Sequence, residues 1–428
     1  MLKQLFHKIF NETLKNASKL LVGTIIAQFI PLVFSFVLSR IYDDAAFGFY
    51  GLYTSTISIL IVVINLKYET TIVLPKEHKD ANALVGISLF WAFVLSLILL
   101  FVLFAYRLNM LYFVAWNNSY NWLFFVPISV FVFGSYQAFN YWLIRHKKYS
   151  ESSYNKVAQR VAETPLNLLL GKFNFVFGLI IGDVFGRVVM TFQAIYQSVK
   201  NGFSLKGISL EEYKKMLKRY RSFALINSLP SLANTIATHA PLFIVNMFYG
   251  IEIAGQLTLV RTVLSIPVSL VSSNISQVIF QQVSERVSNN NEFMTVLRNV
   301  FYLLLSLSVL MAILFIPFGQ YIFQLYGSKW SLAGYMSQIL VISFSVKFLI
   351  SSFSTILLSL EKIKQISVWQ ISYMLLVFVL FLVVKKYDLS INNFLIAYLI
   401  VDLFSYLIYA VIIYKAISEY HFSLKNQI

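Results

Sequence analysis

A chain of 428 residues, 58% of them hydrophobic and 12% charged, with a mean hydropathy of +0.73, lies far from the roughly one-quarter charged content of soluble domains. No stretch is long and polar enough to fold as a soluble catalytic domain, so the composition predicts an all-α polytopic membrane protein with room for about a dozen spans of about 20 residues. The absence of cysteine removes disulfides, thiol catalysis and thiolate metal sites. The net charge of +16 takes its meaning from where the charges fall.

The first apolar run, Ser18 to Leu38, follows the N-terminal lysines and lacks a small-residue cleavage site, which predicts an uncleaved first span. Five more spans are predicted at Gly48 to Leu66, Ala81 to Ala105, Asn121 to Leu143, Val157 to Asn174 and Phe175 to Ser198. The fifth of these six is the least apolar, carrying Arg160, Glu163 and Pro165. Then comes the longest hydrophilic interval, Lys200 to Arg221, with Lys200, Lys206, Lys214, Lys215, Lys218, Arg219 and Arg221 against Glu211 and Glu212. Such a strip cannot enter hydrocarbon and is drawn to an anionic inner leaflet. Six further spans are predicted at Phe223 to Phe248, Gln256 to Phe280, Asn299 to Phe318, Leu332 to Ser359, Ser367 to Val384 and Asn393 to Tyr414. The predicted organisation is an N-terminal six-helix lobe over 1–199, a basic cytoplasmic connector over 200–222 and a C-terminal six-helix lobe over 223–428.

With the N-terminus inside, the inner segments hold 24 of the 34 lysines and arginines and the outer loops hold six: Arg40, Arg107, Lys172, Lys329, Lys385 and Lys386. This four-to-one bias predicts that both termini are cytoplasmic. It also accounts for most of the basic excess without nucleic acid as a partner; the bilayer is the expected one. The two halves share an internal echo at a constant offset of 207, pairing Tyr42 with Tyr249, Gly48 with Gly255, Leu52 with Leu259, Ser58 with Ser265 and Ile59 with Ile266. Six spans separate the copies, so the echo reads as a parallel repeat about an axis along the membrane normal.

Ionisable side chains within spans are the candidate functional groups, because a charge at the bilayer centre costs about 2.5 kcal/mol or more even on lenient scales. They are Arg160, Glu163, Asp183, Arg187, His239, Arg261, Lys347 and Asp402. Arg160 and Glu163 are spaced i,i+3, and Asp183 and Arg187 i,i+4, so each couple can neutralise itself on its own helix. Arg261, Lys347 and Asp402 lack a local partner; Lys347 and Asp402 fall near mid-span, where they could pair with each other or face a wet cavity. His239, two residues before Pro241, could sense protons or sit hydrogen-bonded in a core. The set has four basic residues against three carboxylates, and a surplus of this sign suits an anionic group such as phosphate.

No Walker A motif, HExxH or glycine-rich dinucleotide turn is present, and no metal site or bound cofactor is expected; H+ or Na+ coupling stays open. Asp43 and Asp44 in the first outer loop resemble the metal-binding acids of membrane glycosyltransferases, which leaves an enzymatic alternative. Trp116, Trp122 and Trp330 on the outer side belong to an interfacial belt or could stack on sugars.

The run Ser39 to Asn82 closely resembles the first hairpin of bacterial polysaccharide flippases of the Wzx type. An outer turn with Phe47 and Gly48 precedes the second helix, and an inner segment with Lys67, Tyr68, Glu69, Val73, Leu74 and Pro75 precedes the third. A second match runs from Tyr220 through Gly255 and Arg261 to the IPVSLV segment at Ile266 to Val271. Such flippases are similar to multidrug exporters of the MATE type and to the lipid II flippase. The resemblance implies two six-helix lobes around a central cavity open alternately to either side of the bacterial inner membrane. It implies a substrate of undecaprenyl pyrophosphate bearing an O-antigen, capsule or similar repeat unit, with polysaccharide polymerase or chain-length proteins as candidate partners. Arg187, Arg261, Lys347 and Arg160 are then expected to engage the pyrophosphate, and Asp183, Asp402, Glu163 and His239 to pair with them or bind a coupling ion. A multidrug or small-solute exporter of related fold is the alternative transporter.

Overall fold

A computed structural model describes residues 25–108, 118–289 and 291–425, and among them every regular element is helical. Twelve helices of 17 residues or more stand where the twelve spans are predicted. They are α1 (Ile25–Ile41), α2 (Asp44–Leu60), α4 (His78–Arg107), α5 (Phe125–Arg145), α6 (Tyr149–Lys172), α7 (Gly178–Lys200), α8 (Leu210–Tyr249), α9 (Ile251–Ser288), α10 (Met294–Gln324), α11 (Ser331–Ser351), α13 (Ile363–Tyr387) and α14 (Ile391–Lys425). Two short α-helices, α3 (Tyr68–Thr71) and α12 (Ser354–Ser359), and two 3-10 helices, Asn118–Phe124 and Ser328–Trp330, complete the described elements. Seven of the helical segments are both long and apolar enough to cross a bilayer. Residues 18–24 of the first predicted span, and Trp116, lie outside the described residues.

The chain divides into two compact units, Met1–Thr235 and Ile236–Ile428, with the division inside α8. After a loop the basic interval becomes the first turns of α8, where Glu212 meets Lys79 at 2.6 Å and Tyr213 packs on Gly86 of α4.

In the first unit α7 packs against α6 and α5, and α5 against α4. Lipid tails are as apolar as leucine, so burial drives little association between such helices; close packing and hydrogen bonds must do it. The α6–α7 contact shows how. Gly178, Gly182 and Gly186 repeat every fourth residue along one face of α7. A side chain at Gly182 would strike Asn167 Oδ1, and one at Gly186 would lie 2.7 Å from the backbone oxygen of Gln159. Only glycine lets the two backbones approach so closely. In the second unit α11 is central, packing against α10, α9 and α14. Gly319 and Gly334 make the equivalent approach, a side chain at Gly334 coming within 2.7 Å of Gln320 Cα. The core there is aromatic, with Trp369 stacked on Tyr409 at 3.9 Å between ring centres.

Two predicted spans are broken. The second stops being helical at Leu60; turns follow, with Leu66 and Lys67 left-handed at φ 47° and 62°. Ile61, Val62, Val63 and Ile64 are β-branched and weak helix formers, and Asn65 ties the turn to α5 by donating its Nδ2 to Gly134 O at 2.9 Å. The tenth splits into α11 and α12 at Ser352, whose Oγ donates to Phe348 O at 2.8 Å while its carbonyl accepts from Ser276 Oγ at 3.1 Å.

The echo occupies one kind of place in both units, the turn between two long helices. Tyr42 at the α1–α2 turn donates its hydroxyl to Asn167 O at 2.7 Å. Tyr249, at the end of α8, donates to Leu389 O at 2.7 Å. The sugar-stacking reading of the outer tryptophans is overturned for two of them: Trp122 is 5% exposed and Trp330 fully buried, so neither presents a ring face to solvent.

Candidate functional site

Each unit buries one cluster of the charged residues singled out by sequence. In the first unit the cluster lies on α6 and α7 and is completed by α2 and α5. Arg187 donates its Nε to Asp183 Oδ2 at 2.5 Å, and only 1% of the Asp183 side chain is exposed. The same oxygen accepts from Tyr53 on α2 at 3.0 Å, and the Tyr53 hydroxyl also meets Ser129 Oγ on α5 at 2.7 Å. The guanidinium of Arg187 rests over the Phe133 ring at 4.6 Å. One turn of α6 away, Arg160 donates to Glu163 Oε2 at 2.6 Å, with 28% of the arginine side chain exposed against 7% of its partner. Tyr50 lies within electrostatic reach of all four charges. Buried carboxylates need such partners, because an uncompensated charge in a low-dielectric interior costs several kcal/mol. Yet Asp183 Oδ1, Asn167 Oδ1 and Asn155 Oδ1 are buried without a hydrogen-bond partner, so the cluster keeps unused acceptors.

In the second unit the pair spans two helices. Lys347 on α11 donates to Asp402 Oδ2 on α14 at 2.5 Å, and to Tyr398 OH at 2.9 Å. Asp402 also accepts from Ser343 Oγ on that oxygen and from Tyr373 OH on the other at 2.6 Å. Three donors from α11 and α13 therefore fix one carboxylate. The Lys347 ammonium is further enclosed by the rings of Tyr398, Tyr406 and Phe344 at 5.1, 5.7 and 5.9 Å, an aromatic cage of the kind that holds cations.

Arg261 is the exception. Its Nη2 donates to Thr238 O at 3.1 Å, while its Nη1 is buried with no hydrogen-bond partner. Its field reaches Tyr398, Tyr373 and Asp402, but it shares no ion pair with a carboxylate. His239 neighbours this guanidinium. The four carboxylate-seeking cations thus divide unequally: Arg160, Arg187 and Lys347 each hold one acid, and Arg261 is the surplus.

The structure brings together each couple that helical spacing suggested, and joins Lys347 to Asp402. Tyr53, Ser129, Ser343 and Tyr373 were not visible as site residues in the sequence, since tyrosine and serine are common throughout these helices. The four-residue glycine repeat beginning at Gly178 was the available signal for the close α6–α7 pair that carries one cluster. Asp43 and Asp44 open α2, where Asp44 Oδ1 accepts from the Ala45 N–H at 3.0 Å and the negative charge complements the helix terminus. Among the described residues no group of three His, Asp or Glu is placed to hold a metal ion.

No curated protein matches the sequence significantly. Solved structures do resemble the fold. An inward-facing structure of a multidrug resistance MATE family transporter of the MOP superfamily aligns with a TM-score of 0.70 and 14% identity, covering 93% of this chain and 98% of that one. A MOP superfamily transporter from Pyrococcus furiosus, described as having a binding pocket of reversed polarity, aligns with a TM-score of 0.66 and 13% identity over 95% and 96% of the two chains. An outward-facing MATE transporter gives the same TM-score, identity and coverage as the Pyrococcus protein. Residues 37–333, well over half of the chain and including both stretches of family-like sequence, match the model of the polysaccharide biosynthesis protein family, and the chain belongs to that family, on the helical fold of the MOP superfamily transporters.

Proposed function

We propose that the protein is a flippase that moves an undecaprenyl-pyrophosphate-linked oligosaccharide, an O-antigen, capsule or similar repeat unit, from the inner to the outer leaflet by alternating access. The observation that carries this reading is Arg261, a guanidinium inside the bilayer with a buried, unpartnered Nη1 and no acid of its own. A phosphate oxygen is the ligand that such a group lacks, and charge-assisted hydrogen bonds of this type contribute about 1.5–3 kcal/mol each. Arg187, Lys347 and Arg160 would exchange their carboxylates for pyrophosphate oxygens in one state of the cycle, and Asp183, Asp402 and Glu163 would hold them in the other. His239 would tune Arg261 or carry a coupling proton; Na+ is the other candidate ion. Keeping sugar and pyrophosphate hydrated beside buried charges of this kind, with the prenyl chain left in lipid, avoids moving polar groups through hydrocarbon.

The charge distribution favours the bacterial inner membrane with both termini cytoplasmic, and the substrate class makes polymerase and chain-length proteins natural neighbours. A multidrug exporter would suit cationic drugs with a carboxylate-rich site, and the surplus arginine favours the opposite polarity. In a strain lacking its own flippase, the wild-type chain should restore glycan export. Arg261→Gln and Lys347→Ala should fail to do so while reaching normal membrane levels. Full complementation by both variants would remove the site assignment. Restored drug resistance without glycan export would replace the substrate.

A further inference from the structure

The Lys67–Pro75 segment that carries the family likeness plays no part in the site above, and its acid is unusual. Glu69 sits on α3, just past the broken end of α2, and is 2% exposed. Glu163, Asp183 and Asp402 are the other buried acids among the described residues, and each has a cation within 2.6 Å. Glu69 has none at that distance; its Oε2 is buried with no hydrogen-bond partner, and the carboxyl accepts from its own backbone N–H.

Among the described residues it has no ion-pair partner. On its own segment Lys67 reaches it electrostatically but forms no ion pair with it, and Tyr68 donates its hydroxyl to Leu217 O at 3.2 Å. From α5 it faces Tyr141. Arg145, further along α5, gives its terminal nitrogens elsewhere: Nη1 donates to Val73 O and Pro75 O at 3.3 and 2.5 Å, and Nη2 to Lys76 O and Glu77 O, both at 3.2 Å, while its Nε is buried with no hydrogen-bond partner. His146, next to Arg145, pairs with His78 at 3.0 Å. Helix α4 contributes apolar Ala81, Leu84 and Val85 to the same core, and α8 brings Tyr220 into it, with Arg221 near Tyr68.

We propose that Glu69 is a proton-binding site at the cytoplasmic end of the first unit, and that losing its proton opens the broken segment between α2 and α4. This rests on the proposed orientation of the chain but not on the identity of the substrate. The step is a simple proton transfer: the carboxylate takes a proton from a hydronium ion of the cytoplasmic water, one O–H bond forming on the acid as one breaks on the hydronium, which leaves as water. The neutral acid fits this pocket. The carboxylate does not, since an unpaired buried charge must find water or a cation. The segment that holds it can yield, because it hangs between left-handed Leu66 and Lys67 and the Arg145 clasp. Burial raises the Glu69 carboxyl to about 7, within the cytoplasmic range, where a proton can both bind and leave.

The test uses the absence of cysteine in the chain. Thr71→Cys places a single thiol at a fully buried position of α3, so labelling requires opening. Maleimide labelling rates are compared at each pH between this variant and the same variant carrying Glu69→Gln, so that the thiol's own titration cancels. The rate ratio should rise by up to about tenfold for each pH unit between the ordinary carboxyl range and about 7, and level off above it. In parallel, infrared titration of the full chain in nanodiscs should show a protonated-carboxyl band with a midpoint near neutral that Glu69→Gln removes. A flat labelling ratio, or an infrared band unchanged by Glu69→Gln, overturns the proposal. Neither readout needs a glycan, so a positive result would stand even if glycan export failed, and a negative one would leave the flippase reading intact.

Discussion

The two buried charge clusters differ in how they are built. In the first unit each acid is neutralised by an arginine on its own helix, Glu163 by Arg160 and Asp183 by Arg187. In the second, Asp402 on α14 is neutralised by Lys347 on α11. A pair within one helix survives any movement of that helix against its neighbours. A pair between helices records their relative position, and breaks when they part. The second cluster also has the surplus Arg261, so under the proposed function it is the one whose charge balance a phosphate would complete.

That contrast is sharpened most by removing its strongest partner. Asp402→Ala strips the acid that accepts from Lys347, Ser343 and Tyr373 and leaves a buried ammonium, which should lower stability by about 3–5 kcal/mol. Asp183→Ala should do less harm, since Arg187 keeps its place over Phe133; thermal unfolding of both variants in the same detergent compares them. Replacing Lys347 and Asp402 together by Met and Leu should recover stability and still abolish export, separating the structural from the transport role.

Glu69 is the third case, an acid with no partner. Its folded pKa of about 7 exceeds the ordinary value, so the acid favours the folded state relatively more at low pH. The penalty is absent below the unfolded value, grows through the window up to about 7 and is complete above it. Glu69→Gln should therefore stabilise the protein above neutral pH, by on the order of 3 kcal/mol, and change little at pH 4. Unfolding measured across that range would show a pH-independent gain if the idea is wrong. Gly182→Val should cost about 1–3 kcal/mol by driving α6 from α7, and should disturb the first cluster while leaving the second intact. The smallest effect belongs to an exposed pair: Lys79→Ala, whose side chain is 49% exposed against Glu212, should change stability by less than about 1 kcal/mol.

Much of this was legible in the sequence. Apolar run lengths place all twelve long helices, because in a bilayer length and hydropathy leave few choices. The couples Arg160 with Glu163 and Asp183 with Arg187 follow from helical spacing, and Lys347 with Asp402 from the lack of any local alternative. The break after Leu60 was not legible, because Ile61 to Ile64 reads as apolar whether it is wound or not. Nor were the hydroxyls of Tyr53, Ser343 and Tyr373, whose role depends on which helices face each other. Arg261 stood out as unpartnered from the start; only the coordinates show that its Nη1 stays unsatisfied.

The glycine face of α7 has a mechanical consequence. With Gly182 and Gly186 set against the backbone of α6, that hairpin has little slack in its interface and should behave as a single stiff beam. Arg160, Glu163, Asp183 and Arg187 are then carried as a fixed constellation, like marks on a ruler, and any movement that displaces one of them must displace all four together.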